Sequence, residues 1–176
     1  MIDAITSLSS LHWSQQPQLH PLPSTISRSY VSTPGGSLEL LTCKSKATDP
    51  NAPPIFFIHG GCGHGSVWLE WMTCLHEAGC GGTMYSYSAR NHGASYSVPY
   101  LRMVYGTSLD DVADDLVACV QAARELEGGA GPVLVGHSSG GGLVQYVLAN
   151  GRIRGRALCL LDAVPHYGNF VRRLPP

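Results

Sequence analysis

The chain has 176 residues, 44% of them hydrophobic and 13% charged, and its eleven basic and twelve acidic residues leave a formal net charge of −1. That composition supports one sizeable core and excludes a disordered or fibrous chain. With no long run of one sign there is no electrostatic footprint for nucleic acid or an anionic membrane, so the partner expected is a small molecule.

Residues 1–27 are polar and interrupted by Pro17, Pro21 and Pro23, which predicts an N-terminal arm ahead of a single domain over 28–176. The first ten residues carry neither a basic leader nor a long apolar core, and no apolar stretch reaches membrane-spanning length, so the expected location is cytoplasmic. The cysteines at 43, 62, 74, 80, 119 and 159 form no Cys-x-x-Cys pair. They read as free thiols in a reducing compartment, with Cys119 and Cys159 packing as small hydrophobes in apolar stretches.

Alternating runs at 29–33 and 37–43, separated by Pro34-Gly35-Gly36, predict a β-hairpin. Beyond a polar loop the pattern becomes strand then helix, repeated, which argues for a mostly parallel sheet covered on both faces. Strands are predicted over 55–58, 83–87, 133–135 and 157–161. Ser66 is positioned to cap a helix running to about residue 76, and Ser108 with Asp111 forms a capping-box-like start for a long helix. On that helix Val112, Leu116, Val120 and Ala123 repeat at helical spacing, and a further helix spans about 139–148.

The segment Gly136-His137-Ser138-Ser139-Gly140 lies between an apolar strand and a helix. A serine is a poor nucleophile unless its Oγ is exposed, a base takes its proton and donors await the oxyanion. A tight strand-to-helix turn exposes Ser138, and a helix N-terminus adds free N–H groups and partial positive charge. Gly140, Gly141 and Gly142 weaken a helix by roughly 1 kcal/mol each relative to Ala, so their presence predicts close backbone packing. After strand 55–58 comes His59-Gly60-Gly61-Cys62-Gly63-His64-Gly65, and between the two motifs lies Arg90-Asn91-His92-Gly93-Ala94-Ser95. By ligand type alone His59, Cys62 and His64 are also compatible with a metal, although the glycine-rich turn favours an oxyanion loop, and no metal or cofactor is expected.

The order and spacing of these three blocks resemble the α/β-hydrolase superfamily, in its lipase, esterase and peroxidase-like branch, over roughly residues 28–163. The resemblance implies an α/β fold with an N-terminal antiparallel hairpin. It places the nucleophile at Ser138 and oxyanion donors at the backbone N–H of Ser139 and of Gly61, with Cys62 the alternative for the second. By the same resemblance His59 and His137 shape the turn or line the pocket, Arg90 and His92 hold the loop after the fourth strand, and Trp68 and Trp71 are candidates to border an acyl pocket or to pack in the core.

The family's triad runs Ser, acid, His, with the acid usually after a seventh strand and the His after an eighth. Six strands are predicted here, so the last two strands and the lid that follows the sixth are expected to be absent. Asp162, at the end of the sixth strand, and His166, four residues on, are the in-chain candidates for acid and base. The resemblance implies hydrolysis of an ester, thioester, lactone or amide of a small organic substrate through an acyl-enzyme on Ser138, a chemistry also found in secondary metabolism. The alternatives are a truncated or non-catalytic hydrolase-like protein, acting by association through an exposed sixth-strand edge, and a cofactor-free lyase or oxygenase on the same fold.

Overall fold

The computed structural model describes residues 19, 21–47, 49 and 51–165. Strand β1 (Ile26–Thr33) pairs antiparallel with β2 (Gly36–Cys43) from Ile26↔Cys43 to Thr33↔Gly36. The Pro34-Gly35 turn closes the hairpin, and the Thr33 hydroxyl donates to the Gly36 carbonyl at 2.7 Å. The first strand begins three residues earlier than its alternation predicts, because Ile26 turns inward to the core.

Strand β3 (Ile55–Ile58) is followed by a 3-10 turn (Gly65–Trp68), helix α1 (Leu69–Glu77) and strand β4 (Met84–Tyr87). The cap is not Ser66 as expected. The His64 ring accepts from the Ser66 N–H at 3.3 Å, so the chain enters the helix through a 3-10 turn. Helix α2 (Tyr100–Tyr105) was not anticipated. It is six residues long, buries no residue and starts after Pro99. Helix α3 (Leu109–Leu126) begins with the predicted capping box, in which the Ser108 hydroxyl accepts from the Asp111 N–H while the Asp111 carboxylate accepts from the Ser108 N–H. Strand β5 (Val133–His137), helix α4 (Ser138–Ala149) and strand β6 (Ala157–Leu161) complete the described chain.

The six strands form one sheet in the order β1-β2-β4-β3-β5-β6, antiparallel through β2 and β4 and parallel from β4 to β6. Side chains alternate across it. Leu40, Phe56, Ile58, Tyr87 and Leu134 pack with Leu116, Val120 and Val144 of α3 and α4, whereas Leu41, Phe57, Met84 and Val135 pack with Trp68 and Met72 on the opposite face. The result is a three-layer α/β/α arrangement with the predicted hairpin at one end. At the other end, residues 157–160 of β6 are exposed, so Cys159 does not pack as its apolar neighbours suggest. The reason is that only β5 lies beside β6 among the described strands.

From β3 the chain passes to β4 on one side and then to β5 on the other. The connections diverge above β3 and β5, which opens a crevice at the carboxyl ends of these strands, the usual ligand position in open α/β sheets.

Candidate active site

Ser138 follows β5 directly and begins α4 with φ of 50°, in the left-handed region. A non-glycine residue there carries about 1–3 kcal/mol of strain and persists only where its surroundings enforce it. Here the enforcement is close packing of the turn. A Cβ on Gly136 would stand 2.7 Å from the Cα of Gly141, and one on Gly140 would overlap the backbone carbonyl of His59. The Ser138 carbonyl accepts from the Val164 N–H at 3.0 Å, which ties the chain after β6 to the elbow. Ser139 lies in the first turn of α4, where backbone N–H groups have no intrahelical acceptor.

The loop after β3 lies against this turn. A Cβ on Gly60 would come within 3.0 Å of the Ser138 Cβ, and one on Gly61 within 3.3 Å of the Ser139 Oγ. Between loop and elbow is a cavity of about 480 Å³ lined by residues 60–63, Val67 and residues 137–139. Cys62 is exposed at its margin. Trp68 does not line it. This indole is buried, stacked on Phe57 at 4.9 Å and edge-on to Trp71 and His137, while Trp71 is 52% exposed.

His59 holds the loop from beneath. Its Nδ1 donates to the Gly60 carbonyl at 2.7 Å and its Nε2 accepts from the Ala89 N–H at 3.0 Å, so both ring nitrogens are used. Burial disfavours the imidazolium and, against the opposing bond to Gly60, lowers the His59 pKa from 6.5 to about 4. This neutral, fully bonded ring is a structural strut and not a base. It should also make the fold acid-sensitive. Below pH 6.5 the unfolded chain protonates this imidazole and the folded chain does not, so stability falls as pH drops from 6.5 towards about 4, by about 3 kcal/mol in total. Urea midpoints of wild type and His59→Gln over that interval test this. The variant should lose less stability on acidification, and equal slopes would refute the assignment.

The loop after β4 supports the same region. The His92 ring lies between the Arg90 and Gly61 carbonyl oxygens, at 2.8 and 2.9 Å, and so joins this loop to the β3 loop. Arg90 is anchored on Asp115 of α3 at 2.6 and 3.0 Å and on the Asp111 carbonyl at 2.5 Å. Both residues thus have the holding role expected of them. Glu39, a charged residue within the apolar run of β2, was not foreseen. Its buried carboxylate accepts from Arg28 at 2.6 Å, from the Ser88 hydroxyl at 2.5 Å and from the Ala94 N–H at 3.1 Å. The signal was there to read: one acid in Leu38-Glu39-Leu40-Leu41, at a position whose neighbours are all buried, requires partners.

Ser138, Ser139 and Gly61 are therefore brought together as the three motifs imply. Asp162 is exposed in the turn after β6 with φ of 42°, two residues before the Val164 N–H that bonds the elbow. His166 lies outside the described residues, and among the described residues no imidazole bonds the Ser138 hydroxyl. Among the described residues no group of three His, Cys, Asp or Glu side chains could hold a metal, and no helix is long and apolar enough to cross a membrane.

Comparison with known proteins agrees with this geometry. Residues 55–176 match the model of the alpha/beta hydrolase family. The non-heme chloroperoxidase CPO-A1 of Kitasatospora aureofaciens is 33% identical over 115 residues, which are 64% of this chain and 37% of the chloroperoxidase. A putative aryl esterase from Burkholderia cenocepacia has a TM-score of 0.58 at 29% identity, over 78% of this chain and 47% of its own. Epoxide hydrolase VrEH1 from Vigna radiata has a TM-score of 0.63 at 16% identity, over 80% and 41%, and supports the fold alone. The chain spans less than half the length of these relatives. A left-handed serine elbow beneath a glycine loop at the sheet's switch point, and a family match over residues 55–176, lead to one conclusion: the chain belongs to the alpha/beta hydrolase family.

Proposed function

We propose that Ser138 is the nucleophile of a carboxylic-ester-type hydrolase that cleaves an ester, thioester, lactone or amide of a small organic acid. The observation that carries this reading is the left-handed Ser138 at the wall of the 480 Å³ cavity, opposite Gly61. Ser138 Oγ attacks the carbonyl carbon, and the new oxyanion is received by the N–H groups of Ser139 and Gly61. The intermediate collapses with loss of an alcohol, thiol or amine, which takes up a proton, and water then releases the acid from the acyl-enzyme. Asp162 and His166 are the acid and base in this reading. The six free thiols support a reducing, cytoplasmic setting.

Covalent labelling by a fluorophosphonate, together with turnover of p-nitrophenyl acetate, tests the assignment. Ser138→Ala should abolish labelling, and His166→Ala should lower turnover by about 10³-fold or more, since triad members act as a unit. Equal signals from wild type and Ser138→Ala would remove the nucleophile. Undiminished turnover in His166→Ala would assign the base elsewhere.

The exposed β6 edge favours a second reading, in which this unit works in association. Leu158 and Leu160 are 40% and 42% exposed on a strand that, among the described residues, pairs only with β5. A chain adding a strand there would cover both and complete the sheet. Sedimentation of the purified chain checks this: a monomer at all concentrations would leave the edge without a self-partner.

A further inference from the structure

We propose that this protein carries an anion-binding cleft for a small diphosphate, at the end of the sheet remote from Ser138. Arg124 near the end of α3 and Arg154 and Arg156 on the connection from α4 to β6 line a cavity of about 570 Å³ together with Pro53 and Gly131. Among the described residues, no carboxylate lines it. Three of the chain's eleven basic residues gather here although the net charge is −1.

The rim is fixed, and its guanidinium groups are unpaired with acids among the described residues. The Arg156 N–H donates to the Pro132 carbonyl at 2.8 Å, and the Val133 N–H donates to that of Pro54, so the backbone beneath the arginines is pinned to the sheet. A Cβ on Gly155 would meet a Leu134 methyl at 2.8 Å, which holds this connection close against β5. Arg124 donates through Nη2 to the Gly129 carbonyl at 3.1 Å, while its buried Nε has no acceptor among the described residues. Glu127, one turn from Arg124, has its carboxylate engaged by the Tyr85 hydroxyl at 2.6 Å.

A buried N–H without an acceptor is a standing deficit, and planar guanidinium forks match phosphate oxygens two at a time. Three such forks around a space larger than one phosphate suit two linked phosphoryl groups, either inorganic pyrophosphate or the diphosphate of an organic ester. The five residues of β5 separate this cleft from the elbow by about 16 Å. A bound anion is therefore not the acyl group attacked by Ser138, and the site stands whether or not Ser138 is catalytic.

Calorimetric titration of the full chain with pyrophosphate, phosphate and a nucleoside diphosphate tests the site. Pyrophosphate should bind saturably at one site, more tightly than phosphate and more weakly as salt is raised. Arg154→Ala and Arg156→Ala, both at exposed positions, should each weaken it about tenfold. Neither should change labelling of Ser138, and Ser138→Ala should not change pyrophosphate affinity. A nucleoside diphosphate that binds more tightly than pyrophosphate identifies an organic ester as the ligand, and equal affinity identifies the diphosphate alone. No saturable binding at millimolar pyrophosphate, or unchanged affinity in the Arg154→Ala/Arg156→Ala double variant, would overturn the proposal.

Discussion

Asp115→Ala is expected to destabilise the fold by about 3–5 kcal/mol, read as a fall in the urea midpoint at neutral pH. The Asp115 carboxylate is 2% exposed and the Arg90 side chain 12%, and their two hydrogen bonds at 2.6 and 3.0 Å form a bidentate pair inside the layer between α3 and the loop after β4. Removing the acid leaves a guanidinium that retains, among the described residues, the Asp111 carbonyl and the Tyr96 ring, 5.6 Å from its centre. The Tyr96 hydroxyl, which donates to Asp115 at 3.3 Å, loses its acceptor as well. Asp115→Asn preserves the shape and one acceptor oxygen, so its loss should be smaller, about 1–3 kcal/mol. The damage should extend to the site, because the Arg90 carbonyl bonds the His92 ring and that ring also reaches Gly61. A loss below about 1 kcal/mol in the alanine variant would mean that Arg90 swings out to water on its flexible stem.

The parts of this chain that could be read beforehand are those where chemistry restricts residue type at a fixed spacing. The elbow needs small residues at 136 and 140, the loop after β3 needs backbone beside Ser138, and the capping box at Ser108 and Asp111 states its own geometry. Periodicity similarly located all six strands. What escaped depended on partners distant in sequence. Glu39 is intelligible only once Arg28, Ser88 and Ala94 surround it. Asp115 occupies a helix position between core residues and is accounted for by Arg90, 25 residues away. Helix α2 sets Leu101, Val104 and Tyr105 at helical spacing, but it is only six residues long and these side chains stay exposed, so the run is too short for period-based reading to separate it from a loop. Strand β6 has the opposite character: its apolar run predicts burial, yet among the described residues only one neighbour strand is there to provide it.

Gly140→Ala should destabilise by about 3 kcal/mol and at the same time lower Ser138 labelling, although alanine is the better helix former by about 1 kcal/mol. Propensity and packing therefore predict opposite signs, and the geometry decides between them. The added Cβ would overlap the His59 carbonyl and lie 2.9 Å from its carbon and from the Ile58 Cγ2, and two of those three atoms are backbone. Backbone at this point cannot step aside cheaply, because β3 is hydrogen-bonded on both edges and the His59 ring is bonded to Gly60 and Ala89. The remaining route is for α4 to move away from the β3 loop, which separates Ser139 from Gly61 and opens the cavity. Gly128→Ala supplies the contrast. No atom lies within 4 Å of a Cβ there, and only its φ of +64° opposes the change, so about 1 kcal/mol is expected with labelling intact. Parallel thermal and labelling measurements on the two variants separate backbone strain from steric contact. If Gly140→Ala matched Gly128→Ala in both readouts, close approach between α4 and the β3 loop would not be what holds the elbow and the loop together.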